Sequence, residues 1–305
     1  MKPGAARPHW GGGEGRLAVS VATDVGRVRH NNEDYVAESR VRDATGEAFA
    51  LWLVADGVGG GPRGEEASRT AVDVVAGYLG SGAWSEPASA ISDAFGLASG
   101  RVHELTGTGA SSTTMVAALV RESDATAWIA NVGDSRAYLV SDGEARPVTQ
   151  DHSLVAAEVA AGRLTPDEAR TAPGRNVVTR TVGSRPDVVV DVFGPRRLGP
   201  GERLVLCTDG VHGMIDDSAI GRLASLALPE AATALIAAAL DAGGRDNATA
   251  LVGGFEAASQ AAERGHMTNP AETSSRLNGS RLSLLAFGVA AALIVLTAIL
   301  AAWHF

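Results

Sequence analysis

Only one cysteine, Cys207, occurs among the 305 residues of this chain. No internal disulfide can form, as expected of a protein made for a reducing compartment. A lone thiol can act as a nucleophile, but it then needs a nearby His with Asn or Asp, and no such local signature surrounds it. Cys207 follows Leu204-Val205-Leu206 and is expected to point into a core. Basic residues are also in the minority: 26 Lys and Arg face 35 Asp and Glu, a formal net charge of −9. Nucleic-acid binding normally requires a basic face, so that class of partner is excluded. The Gly- and Pro-rich residues 1–15 hold no apolar run of the kind a secretory signal needs, and they read as a flexible leader. Internal repeats are missing as well.

Apolar residues nevertheless make up 45% of the chain, enough for a sizeable core. From Leu282 to Trp303 runs an uncharged apolar segment of the ~20 residues that a bilayer core demands. Arg276 and Arg281 precede it, and the positive-inside tendency places them and everything before them in the cytoplasm. Residues 281–304 are therefore expected to form a transmembrane helix, and the polar Ser/Ala/Asn-rich residues 256–280 a disordered tether. A globular domain over 16–255 remains.

Within it, strands are predicted at Leu17–Thr23, Ala48–Ala55, Thr113–Val120, Thr126–Val132, Ser135–Val140, Asp187–Phe193, Arg203–Thr208 and Ala248–Phe255. Helices are predicted at Gly64–Tyr78, Pro87–Leu105, Leu154–Ala161, Ser218–Leu226 and Pro229–Ala242. Short turns join several of the strands, and the helices come in pairs. That rhythm predicts an α+β fold, a central sandwich of two antiparallel β-sheets flanked by pairs of α-helices, and not a parallel sheet.

Acidic residues recur where apolar strands end. Leu51–Ala55 runs into Asp56-Gly57, Ala130–Val132 into Gly133-Asp134, and Leu204–Thr208 into Asp209-Gly210, while Asp246-Asn247 opens the last strand. Any one of these is an ordinary turn signal. Four of them beside Glu33-Asp34 form a set of hard oxygen donors suited to divalent cations, held on rigid elements. Arg29 adds a guanidinium fork, which matches phosphate through parallel hydrogen bonds. Either a solvated charge cluster or metal-assisted phosphoryl chemistry fits these residues alone.

In their order, these motifs resemble the protein phosphatase 2C family, the metal-dependent protein phosphatases, in its compact bacterial form. The resemblance runs from about Val19 to Phe255 through Thr23-Asp24-Val25-Gly26 with Arg29 and Asn32-Glu33-Asp34, then Ala55-Asp56-Gly57-Val58-Gly59-Gly60, then Asn131-Val132-Gly133-Asp134-Ser135-Arg136, Thr208-Asp209-Gly210-Val211 and Arg245-Asp246-Asn247. Gln150-Asp151-His152-Ser153-Leu154, continuing into Ala161-Gly162-Arg163-Leu164-Thr165, is similar to the family's flap segment beside the site. The resemblance implies two Mn2+ or Mg2+ ions, with a third held more weakly, and a water between the two that attacks phosphorus in line. It implies that Asp56 bridges the two ions, that Asp209 and Asp246 complete one site, and that Glu33 and the Gly57 carbonyl serve the other. Asp134, with Asp209, matches the third site. Asp34 would orient water and Arg29 would clamp the substrate phosphate. Phosphorylated proteins are the implied partners, among them a membrane Ser/Thr kinase and its targets, met at the cell membrane from the cytoplasmic side.

Two departures stand out. Val58 occupies the place of a histidine proposed as general acid in eukaryotic members, and Gly61 the place of another found in many bacterial ones. The flap's usual His-Pro pair reads Ala172-Pro173. His152 is expected to serve the flap or packing. A non-catalytic phosphoprotein receptor would be expected to have lost ligands at Glu33, Asp56, Asp209 or Asp246, and all four are present. A purely structural calcium protein would leave Arg29 unexplained.

Overall fold

The computed structural model describes residues 15–59, 62–106 and 111–257. In chain order they form β1 (Gly15–Asp24), β2 (Asp34–Arg42), β3 (Ala48–Val58), α1 (Pro62–Gly80), α2 (Pro87–Thr106), β4 (Ser112–Arg121), β5 (Thr126–Val132), β6 (Arg136–Ser141) and β7 (Glu144–Pro147). There follow α3 (Leu154–Ala160), α4 (Pro166–Ala169), β8 (Asp191–Arg197), β9 (Arg203–Cys207), α5 (Asp209–His212), α6 (Asp217–Ala224), α7 (Leu228–Asp241) and β10 (Ala248–Ala257). One sheet has the order β1-β10-β9-β6-β7 and the other β2-β3-β4-β5-β8. Every pairing between neighbours is antiparallel.

The period-2 alternation of the central strands makes the layers. In β3, Phe49, Leu51, Leu53 and Ala55 join a core shared with α1 and α2, while Ala50, Trp52 and Val54 face the opposite sheet. In β9, Leu204 and Leu206 meet that same inter-sheet core, while Val205 and Cys207 turn toward α6 and α7. Three apolar layers therefore separate four structural ones, helices–sheet–sheet–helices, as expected. Cys207 is fully buried, and burial pushes its thiol up to about 12, so it is no nucleophile at neutral pH.

Several boundaries differ from expectation. Gly15 pairs with Ala257 across β1 and β10, so Gly15, Glu256 and Ala257 belong to the domain and not to the leader or tether. The strand predicted at Asp187–Phe193 runs instead over Asp191–Arg197, passing through Gly194-Pro195. It is an edge strand whose register with β5 shifts between Ala127 and Ile129, so a proline without an N–H disrupts little there. β2 was not predicted because, as the other edge, it carries Glu38 and Arg40 and mostly half-buried positions, which blur the alternation. The single turns α4 and α5 are too short to show a period. No helix among the described residues is long and apolar enough to cross a membrane. The predicted membrane helix 281–304 lies outside the described residues, as does nearly all of the tether.

Candidate active site

The loop from β1 to β2 is fastened to the start of β10 by one side chain. Asn247 donates through Nδ2 to the carbonyls of Val25 and Asn31, both at 2.9 Å, and its Oδ1 accepts the Glu33 N–H at 2.9 Å. Asn32 is tied in turn to the Thr23 hydroxyl, which shares a hydrogen bond with that of Thr249. Glu33 and Arg29 are thereby brought to Asp246, although more than 200 residues of chain lie between. Replacing Asn247 by Ala strips three buried or half-buried hydrogen bonds that fasten the β1–β2 loop. A stability loss of about 2–3 kcal/mol is expected in urea titrations, with an unchanged slope.

Strand register places the acidic residues. Asp34 and Asp56 are partners across β2 and β3, and Asp56 also stands opposite Thr114 of β4. The Gly57 N–H donates to the Glu33 carbonyl at 3.2 Å, and the Ser68 hydroxyl of α1 reaches the same oxygen at 2.6 Å. Asp209 is the first residue of α5, and Asp134 lies in the turn between β5 and β6. Gly133 before it has φ +111°, and a side chain there would meet the Thr114 Cβ at 2.4 Å, so only glycine allows this turn.

These residues share one cleft of about 140 Å³. Glu33, Asp56, Gly57, Asp134, Asp209 and Asp246 line it, with Arg29 at the rim. Every metal-site residue predicted from the sequence is thus brought together. Asp34 does not line the cleft: it lies buried behind it, accepting the Thr208 hydroxyl at 2.9 Å. Val58 is in the wall, an aliphatic group where a proton donor was sought. Thr114 and the flap residues Asn176 and Val178 complete the wall and were not predicted, since a threonine inside a strand and an asparagine after a glycine turn give no chemical signal of their own. Arg29 points a 2.8 Å ion pair at Asp246, whose carboxylate raises the guanidinium's pKa.

The carboxylates hold protons unusually tightly. Burial, opposed by hydrogen bonds from Thr249 and Thr208, pushes Asp34 up to about 7. Burial and the charge of Asp209 raise Asp134 to about 7; burial and the charge of Asp246 raise Asp209 to about 6. Asp56 is pushed well above its ordinary value by burial and then by Asp34, Asp209 and Asp134. A carboxylate whose pKa is raised on folding stabilises the fold while protonated and loses that contribution as pH rises through its folded value. The buried His212, depressed to about 3, opposes this trend below its unfolded value near ~6.5 but is already neutral above it. In EDTA the melting temperature is therefore expected to fall between about pH 6.5 and 8 as Asp34 and Asp134 ionise. A flat or rising profile in differential scanning fluorimetry would contradict the cluster.

The donor set fits divalent cations. All side-chain donors are hard oxygens, Arg29 is the one cationic side chain among the described residues lining the cleft, and the buried Oδ1 atoms of Asp34 and Asp209 have no hydrogen-bond partner. Among the described residues no three His, Cys, Asp or Glu side chains already converge on a single ion position, so the fit rests on chemistry and charge and not on a preformed cage.

Comparison with known proteins decides the family. The sequence profile described as Protein phosphatase 2C matches residues 27–252. The chain belongs to the protein phosphatase 2C family. It is 33% identical over 243 residues to the protein phosphatase PhpP of Streptococcus pneumoniae, covering 76% of this chain and 95% of that one. The phosphatase MsPP of Mycobacterium smegmatis, solved with cacodylate, is 35% identical with a TM-score of 0.67, covering 77% of this chain and 96% of that one. The catalytic domain of the phosphatase PstP, solved with two manganese ions, is 28% identical with a TM-score of 0.66, covering 79% and 98%. Membership of protein phosphatase 2C makes the chain a serine/threonine protein phosphatase, and its sandwich is that family's fold.

Proposed function

We propose that the cleft is where this chain hydrolyses phosphoserine and phosphothreonine monoesters of other proteins, with Mn2+ or Mg2+ as cofactor. The observation that carries the reading is one small cleft, about 140 Å³, in which a ring of carboxylates faces a single arginine at the rim. Sites that enclose a whole small molecule usually measure ~300–1,000 Å³, whereas this one suits a phosphoryl group presented on a larger surface. Cations held by Asp56, Glu33, the Gly57 carbonyl, Asp209 and Asp246, with a weaker one by Asp134, would supply Lewis acidity and lower the pKa of water. Arg29 binds the substrate phosphate by exchanging Asp246 for its oxygens, and there offsets the charge that builds during transfer. Asp34, fixed by Thr208, holds and orients a water at its free Oδ1. Val58 cannot protonate the leaving alkoxide, so that proton comes from solvent in the cleft.

The test is phosphate release from a phosphothreonine peptide by the full chain, with Mn2+ and with EDTA. Release that needs the metal supports the proposal. A folded chain that binds the peptide without turnover would support a phosphoprotein receptor in its place.

We further propose that residues 281–304 hold the enzyme at the cytoplasmic face of the cell membrane, where it opposes a membrane Ser/Thr kinase. The support is the uncharged run from Leu282 to Trp303 behind two arginines. Fractionation of cells carrying the chain with and without residues 281–304 tests the anchor, and both forms in the soluble fraction would refute it. Failure to dephosphorylate a co-encoded membrane kinase, under conditions where a generic phosphopeptide is cleaved, would refute the partnership.

A further inference from the structure

The geometry points to His152 as a positioning residue that ties the flap to Asp134; this builds on the reading of the cleft as a phosphatase site. His152 grips Gly133 twice. Its backbone N–H donates to the Gly133 carbonyl at 2.9 Å, and its Nδ1 accepts the Gly133 N–H at 3.0 Å. Gly133 is the residue before Asp134, so its placement sets where the Asp134 carboxylate enters the cleft. The other side of the ring faces β8 and the flap's return. Nε2 lies 3.2 Å from Asp191 Oδ2, and Arg180 Nη1 lies 2.7 Å from Asp191 Oδ1. The Thr179 N–H also donates to the His152 carbonyl at 2.8 Å.

The contacts to Gly133 and Asp191 select one tautomer. Since Nδ1 faces an N–H it must accept, and a neutral imidazole then carries its proton on Nε2, aimed at Asp191. Arg180 Nη1 is 2.8 Å from Nε2, but both carry protons, so each donates to Asp191 and neither to the other. Burial, the largest influence on the ring, lowers its pKa and keeps it neutral. A second neutral histidine holds the next peptide: His212 Nε2 donates to the Asp134 carbonyl at 2.9 Å. The Gly133-Asp134 turn is thus gripped from both sides, and only the His152 grip connects to the flap. Displacing the flap pulls on Thr179 and on Arg180, which is anchored to Asp191 of β8, and through His152 on the carboxylate assigned to the weaker cation. Such outer contacts to a ligand-bearing segment are typically worth ~10–100-fold in metal affinity.

Two substitutions in the full chain separate this role from simple packing. In His152→Asn the Oδ1 falls near the former Nδ1 and can still accept the Gly133 N–H. In His152→Gln the amide falls near Nε2, keeping a donor toward Asp191 and losing that acceptor. The Mn2+ concentration for half-maximal hydrolysis of p-nitrophenyl phosphate is expected to rise about tenfold in the Gln variant and to stay within about threefold in the Asn variant. Hydrogen exchange at the Gly133 amide should accelerate in parallel, with or without metal. Equal effects in both variants, or a lowered melting temperature with unchanged Mn2+ dependence, would overturn the proposal. The wild-type chain gives an independent check: 15N NMR of the imidazole should report protonation at Nε2, and an Nδ1–H tautomer would refute it. No hydrolysis by the wild type at any Mn2+ concentration would instead count against the phosphatase reading, while leaving the tautomer and exchange results to judge the grip on Gly133.

Discussion

Asp209→Asn is expected to lower kcat/KM on a phosphothreonine peptide by about 10³-fold or more, with the fold intact. The residue opens α5 on the cleft floor, and its buried Oδ1 has no protein partner. It feels the charge of Asp246 and is partly relieved by Arg29 and by a hydrogen bond with Asp56. It therefore stands where the two strand ends, β3 and β9, meet the start of β10, and cations shared among these carboxylates would depend on it. Asparagine keeps the shape and removes the charge. Without metal, that removal also relieves repulsion within the cluster, so the variant's melting temperature in EDTA at pH 8 is expected to match or exceed that of the wild type. Activity loss accompanied by higher metal-free stability is the signature of a functional carboxylate. Activity within about tenfold of the wild type would remove Asp209 from the proposed chemistry.

Gly210→Ala is expected to cost about 3 kcal/mol or more in stability. A Cβ on Gly210 would lie 1.8 Å from the Asn247 carbonyl oxygen and 3.1 Å from the Ala248 Cα. Those are backbone atoms at the head of β10, so no side chain can rotate away. Relief requires α5 and the Asp246-Asn247 segment to part, which separates Asp209 from Asp246 and loosens the Asn247 clip on the β1–β2 loop. Even the folded fraction should then lose about 100-fold in activity, the usual consequence of displacing reacting groups by ~1 Å. Gly96→Ala in α2 is the control, because nothing lies within 4 Å of its added Cβ. That variant is expected to be neutral or stabilised by about 0.5–1 kcal/mol. Equal melting temperatures for the two variants would show that the contact at Gly210 does not constrain the fold.

Much of this was legible in the chain because it rests on local chemistry. Apolar runs such as Leu51–Ala55 and Leu204–Cys207 declare buried strands, since both faces of each are covered. Acidic residues at the ends of those runs, in a fixed order with Arg29, name the candidate site, because a strand end is where a side chain can be both rigid and open to solvent. Edge elements were less visible. β2 and β8 have one free flank, so Glu38, Arg40 and Gly194-Pro195 are tolerated there and hide the pattern.

What only the tertiary structure decided is which groups meet. Sequence treats Glu33-Asp34 as a pair, but Glu33, in the loop held by Asn247, lines the cleft, while Asp34, the first residue of β2, lies behind it on Thr208. Asn247 was visible only as the end of a motif, and its three hydrogen bonds to the β1–β2 loop exist because antiparallel pairing of β1 with β10 brings residues 25–33 alongside it. His152 was expected to serve the flap or packing, but nothing in the sequence tied it to Gly133. Its grip on Gly133 depends on the flap folding back against the turn between β5 and β6. Local propensity records what each segment prefers, whereas such long-range hydrogen bonds form only once the sheets have closed the distance.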